Sequence, residues 1–164
     1  FESPTQYLLP IPLSDLKAFD SFPEQIRCKN GGGLSLAVLK NMLHDAISEY
    51  GVPFDIREDQ VQSGGLFNKK YEECLCIVNS EHEADYFKYC IRLQKTGTMA
   101  FVYVNYFGTS VLTGKKNQDE DRKNSGSLAK MALGAIFKVD QQAYDAEYNY
   151  YTIIEDALKE VLGV

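Results

Sequence analysis

The stretch from Tyr86 to Phe107 constrains the fold more than any other part of the chain. Residues 86–94 and 99–107 are two runs rich in aromatic and β-branched side chains, separated by Lys95, Thr96, Gly97 and Thr98. Gly97 can take a positive φ at no steric cost, so the stretch reads as an antiparallel hairpin. With Thr96-Gly97 as a two-residue turn, Leu93 faces Ala100, Ile91 faces Val102, Tyr89 faces Val104 and Phe87 faces Tyr106. That is one continuous apolar face, and a slip of one residue would turn it to the other side of the sheet. The second face pairs Arg92 with Phe101, Cys90 with Tyr103 and Lys88 with Asn105. It is mixed in character: cations beside aromatic rings make a stacking platform if exposed, and interior packing if a helix covers them.

The other elements are legible from periodicity and punctuation. Residues 1–33 hold Pro4, Pro10, Pro12 and Pro23, four of the five prolines, and end in Asn30 and three glycines. They read as an extended proline-rich arm joined flexibly to the rest of the chain. Within the arm, Tyr7 to Leu13 is too apolar for a free tail and is expected to lie against the core or a partner. Leu36, Leu39, Leu43, Ile47 and Tyr50 recur at helical spacing, so Leu34 to Tyr50 is expected to be a helix, stopped by Gly51 and Pro53. A strand is expected near Phe54 to Arg57, a turn or bulge at Gly64-Gly65, and a strand from Tyr71 to Val78. On that last strand Leu75 and Ile77 point one way and Cys74, Cys76 and Val78 the other. Both faces are apolar, which suits a central strand.

Two C-terminal helices complete the expectation. The first runs from Leu128 to Phe137 and is rich in small residues. The second, Gln141 to Leu162, is capped by Asp140 and carries a stripe of Tyr144, Tyr151, Ile154, Leu158, Val161 and Leu162. Strands in one run and helices in another indicate α+β. The expected architecture is an antiparallel sheet of four to five strands, with one N-terminal and two C-terminal helices, forming a single domain over 34–164 behind the 1–33 arm.

Composition narrows the function classes. With 17 Lys and Arg against 23 Asp and Glu, the net charge is −6, which argues against a phosphate-backbone partner and gives no support for binding an anionic membrane surface. No run of about 18 apolar residues offers a membrane span. Cys28, Cys74, Cys76 and Cys90 are too few for a disulfide framework in 164 residues, and three of them fall in expected strands as small buried side chains. That favours a reducing compartment such as the cytoplasm. The chain begins at Phe1 without a basic-then-apolar leader, so it reads as a processed or cut product, with an exported origin left open.

The candidate chemistry is sparse. Gly108 to Gly114 followed by Lys115 and Lys116 has five residues between its glycines where a P-loop has four, and a lysine where the metal-binding hydroxyl belongs. Asp119, Glu120 and Asp121 lack the spacing of a calcium loop and read as a solvated charge run. Cys74, Cys76, Cys90 and His82 are the weak candidates for metal ligands, since Cys-X-Cys in a strand departs from the knuckle spacing of zinc sites. Glu147 falls inside the tyrosine stripe, where it needs a hydroxyl or a base to satisfy it. Glu147, Arg92, Lys88, Phe101 and Tyr103 are therefore the candidate ligand-binding residues. No catalytic residue and no cofactor is expected. The leading expectation is a non-enzymatic protein-interaction or accessory module that binds a protein partner or a second copy of itself. The alternative is a small-ligand-binding domain or enzyme with a pocket between the sheet and the C-terminal helices.

Overall fold

The structure is a computed structural model that describes residues 9–29, 31–83, 86–112 and 140–164. Its centre is a six-stranded sheet. In chain order the strands are β1 (Ile11–Pro12), β2 (Gln25–Cys28), β3 (Asp55–Ser63), β4 (Lys70–Val78), β5 (Phe87–Thr96) and β6 (Met99–Gly108). Across the sheet they lie in the order β1-β3-β4-β5-β6-β2. The helices are α1 (Leu36–Glu49) and α2 (Gln141–Leu162). The chain is thus α+β, but the sheet has six strands instead of the expected four or five, and it is mixed instead of wholly antiparallel. The departure has one source, the proline-rich arm. Ile11 pairs in parallel with Val61 at one edge, and residues 25–28 pair antiparallel with residues 100–103 at the other. Proline is tolerated at an edge, where its missing N–H costs no ladder bond, so prolines in the arm did not rule out strands.

The β5–β6 hairpin is confirmed with a shifted turn. Thr96 pairs with Met99, so the turn residues are Gly97 and Thr98, with Gly97 at φ 61°. A positive φ at the first turn residue is the glycine-first pattern of type II′ hairpins. Leu93 therefore faces Val102, Ile91 faces Val104 and Tyr89 faces Tyr106. The register moves by two positions on the partner strand. Side chains alternate with a period of two, so the apolar face is preserved.

That face carries the main core. Leu39, Leu43 and Ile47 from α1, with Tyr151, Ile154 and Leu158 from α2, pack on Leu75, Ile77, Tyr89, Ile91, Val102 and Val104. Each such side chain contributes about 1.5–3 kcal/mol on full burial. The termini of both helices are satisfied locally. Ser35 Oγ accepts from Val38 N at 3.2 Å, and Asp140 Oδ1 accepts from Gln142 N and Ala143 N at 3.0 and 3.3 Å. Gly163, at φ 71°, ends α2 with its N–H donated to Glu160 O and that of Val164 donated to Lys159 O, the paired bonds of a Schellman motif. One C-terminal helix is described; the helix expected over 128–137 lies outside the described residues, as do residues 113–116 of the Gly-Lys loop and the acidic cluster 119–121.

The arm does more than supply edges. After β1 it forms a 3-10 turn at Leu13–Asp15, places Leu16 on the second face of the sheet, and pairs Lys17 with Tyr106. Phe19 then packs on the helix side, against Phe22, Phe87, Tyr89 and Tyr106. The segment is a strap that crosses from one edge of the sheet to the other. Its glycines are not a loose joint either: a Cβ on Gly31 would lie 2.3 Å from Ala100 Cβ, so only glycine permits that close approach.

Candidate functional site

The second face of the sheet is buried at its centre. Ile11, Val61, Cys74, Cys76 and Cys90 form a small buried cluster there, with Leu16 and Phe107 packed on it. Lys88 and Arg92, expected as ligand-binding cations, are both engaged within the fold. Lys88 Nζ is 3.3 Å from Asp59 Oδ2, with the two side chains 11% and 3% exposed. Arg92 Nη1 lies 3.3 Å from Glu72 Oε2, and its guanidinium sits 4.9 Å from the centre of the Tyr103 ring. Tyr103 also accepts from Gln25 Nε2 at 3.1 Å, while Phe101 pairs with Arg27 of β2 and is half-buried. Lys88, Arg92 and Tyr103 thus each have a side-chain partner within the fold.

The thiols on this face meet. Cys76 and Cys90 are cross-strand partners with their Sγ atoms 3.4 Å apart, and the Cys74 and Cys76 Sγ atoms are 4.0 Å apart. The contact with Cys76, then burial, pushes the Cys74 thiol far up. At Cys76 the Cys74 contact pulls down, but the Cys90 contact and burial outweigh it. Both are held as neutral thiols, the form that neither attacks nor ligates. His82 is elsewhere, its ring edge-on to Tyr86 with centroids 4.4 Å apart. Among the described residues no group of three or more His, Cys, Asp or Glu side chains is arranged to hold a metal ion.

Glu147 lies across the sheet from Lys88 and Arg92, on α2. It is buried, and its Oε1 accepts from Tyr86 OH at 2.6 Å. Burial first, then the bond to Glu147 and its charge, push the Tyr86 hydroxyl up to about 12. A raised tyrosine favours the folded state while both states are neutral, so this contribution is complete below the ordinary value of about 10 and is lost as pH rises through about 12. In an alkaline titration of tyrosinate absorbance, Tyr86→Phe is expected to remove one group ionising near 12, and Glu147→Gln to move that group toward 10. An unchanged late-ionising group in Tyr86→Phe would contradict the pairing.

A second buried acid has almost no signature in the sequence. Glu155 is 2% exposed, accepts from Tyr89 OH at 2.6 Å through Oε2, and has Lys159 Nζ 3.6 Å from Oε1. Its only sequence signal is its place beside Ile154 and four residues before Lys159. Between the two acids, Tyr151 buries its hydroxyl without a hydrogen-bond partner among the described residues. The nearby cleft, lined by Phe19, Phe22, Phe87, Tyr106, Tyr144 and Tyr148, holds only about 60 Å³. That is well below the roughly 300–1,000 Å³ of small-molecule sites. A larger open groove of about 630 Å³ runs between Arg27, Gly31 and the end of α2, and a depression of about 280 Å³ lies between Lys40, His44 and Phe54. Neither is lined by Glu147, Lys88, Arg92, Phe101 or Tyr103. The five expected ligand residues are therefore split between two faces of the sheet.

The chain matches no protein-family model, no curated protein and no solved structure.

The most exposed apolar feature of the fold is the β3–β4 hairpin tip. Gly64, at φ 87°, turns the chain, and Asn68 N donates to Gly65 O at 3.2 Å. Between them Leu66 is 83% exposed and Phe67 is 94% exposed. Lys69 and Lys70 come next, both exposed. Leaving two large apolar side chains in water forgoes about 1.5–3 kcal/mol each, which a tight turn of polar residues would not. The sequence did contain the signal: two large apolar residues stand directly after Gly64-Gly65, where turn chemistry calls for polar ones.

Proposed function

We propose that this chain is a non-enzymatic interaction module whose docking element is the Leu66–Phe67 tip. The carrying observation is the near-complete exposure of two adjacent large apolar side chains at the end of a hairpin whose strands are rooted in the sheet. Residues 55–63 pair with residues 70–78 without interruption, so the tip is presented on a stiff element. Presenting apolar anchors in a fixed geometry reduces the ordering cost of association. The buried position of Lys88 and the internal pairing of Arg92 support a docking role over a ligand site on the hairpin face. The alternative, a small-ligand pocket between sheet and C-terminal helix, has the open groove of about 630 Å³ between Arg27, Gly31 and the end of α2 as its site, and none of the expected ligand residues lines it.

Photo-crosslinking tests the reading. A photoreactive phenylalanine analogue at position 67 is expected to give a discrete adduct in native extract, to a lipid or to a protein. The same group at Asp145, exposed on α2, is expected to give none of it. Loss of the position-67 adduct on Leu66→Ser would support the tip. Identical adduct patterns from both positions would overturn it.

A further inference from the structure

We infer that the surface this tip docks on is an anionic lipid bilayer, an inference that rests on the docking reading above. An apolar pair followed, after Asn68, by Lys69 and Lys70 matches the layering of such a bilayer, with negative headgroups outside and hydrocarbon beneath. The rest of the same end of the sheet is also basic. The β4–β5 ladder is antiparallel, so the β3–β4 and β5–β6 turns lie at the same end. Exposed Lys95 is in the last turn-proximal stretch of β5, and exposed Lys29 follows Cys28, the partner of Ala100 beside that turn. The next acids on β4, Glu72 and Glu73, pair with Val61 and Gln60, inward from the tip, and Glu72 is bound to Arg92. Asp15, on the strap after β1, is a further acid from this end, and exposed Glu160 stands in the last turn of α2, whose end shares a groove with Lys29.

A protein partner fits the same residues less well. Protein interfaces are depleted in Lys, and their strongest anchors are Trp, Tyr and Arg, with Leu under-represented. Here the anchors are Leu and Phe and every flanking cation is Lys. The chain's net charge of −6 does not prevent contact. At physiological ionic strength the screening length is about 8 Å, so the charges that touch the surface outweigh those on the far side. Single lysines near an anionic surface each change affinity by about fivefold.

The chain contains no tryptophan, so Phe67→Trp places its sole tryptophan, excitable apart from the tyrosines, at the tip. With vesicles of phosphatidylcholine and phosphatidylserine, its emission is expected to move to shorter wavelength and the protein to co-sediment. Phosphatidylcholine alone is expected to give neither. Lys69→Gln with Lys70→Gln is expected to weaken binding by about tenfold or more, and added salt to weaken it further. Leu66→Ser with Phe67→Ser, checked for an unchanged circular dichroism spectrum, is expected to abolish it. Equal binding to both vesicle types would overturn the inference. So would no response to either vesicle while position 67 still crosslinks to a protein, an outcome that leaves the docking reading standing. No vesicle response and no position-67 adduct would overturn both.

Discussion

Lys88→Ala is expected to lower the free energy of unfolding by about 3–5 kcal/mol, because it strands a buried carboxylate. Asp59 is almost wholly enclosed, and Lys88 Nζ at 3.3 Å is its cation. Since β4 lies between β3 and β5, the Lys88 side chain spans one strand to reach it. The attraction between the two charges offsets the cost of removing both from water only while both are present. The matching control is Lys88→Met with Asp59→Leu, which removes both charges and keeps the volume. It is expected to return stability to near that of the unsubstituted chain or above it. A second control is Lys40→Ala at the exposed Lys40–Glu58 pair, where a loss of about 0–1 kcal/mol is expected. Urea denaturation measures all three. A Lys88→Ala midpoint equal to that of Lys40→Ala would show that the pair on the second face is solvated after all.

The tyrosine cluster makes a sharper claim, since two residues of one type are expected to respond in opposite directions. Tyr89 and Tyr151 stack with ring planes 7° apart and centroids 6.2 Å apart, and both are buried. Tyr89 OH donates to Glu155, while Tyr151 OH has no partner among the described residues. Tyr89→Phe leaves a buried carboxylate oxygen unpaired and is expected to cost about 1–3 kcal/mol. Tyr151→Phe removes an unpaired buried hydroxyl and is expected to be neutral or slightly stabilising. Burial, then the charge of Glu155, holds the Tyr89 hydroxyl well above its ordinary ionisation range, so it stays a donor across the physiological range. Equal losses from the two substitutions in a thermal melt would mean that ring packing, not the hydrogen bond, carries the effect.

These two networks explain how Lys88 and Tyr89 find partners inside the fold. A sheet with β4 at its interior buries both faces, and polar groups on a buried face must find partners inside the protein. Lys88 and Tyr103 do so, and Arg92 and Asn105 do so in part, Asn105 through Glu24 of the strap at 3.2 Å, while Arg92 Nε and Asn105 Oδ1 have no hydrogen-bond partner among the described residues. Among the described residues, Leu66 and Phe67 are an adjacent pair of large apolar side chains that the fold leaves in water.

Local pattern was enough for the elements whose signals lie within one stretch. The spacing of Leu36, Leu39, Leu43 and Ile47 marked α1 to within two residues, and Asp140 with the apolar stripe to Leu162 marked α2. Alternation along β4 showed both of its faces to be buried, and the same alternation preserved the apolar face of the β5–β6 hairpin despite the turn being displaced by one residue. Long-range pairing was not legible in this way. Whether residues 11–12 and 25–28 are strands depends on the free edges offered by β3 and β6, and no local periodicity encodes them. Whether Lys88 binds a ligand or Asp59 depends on β3, which is 29 positions away. The sequence by itself therefore determined the composition of each face of the central hairpin. Only the tertiary structure decided which face was closed by helices, which by the strap, and which hydrophobic residues were left in water, because burial is a property of the neighbours that arrive and not of the segment that awaits them.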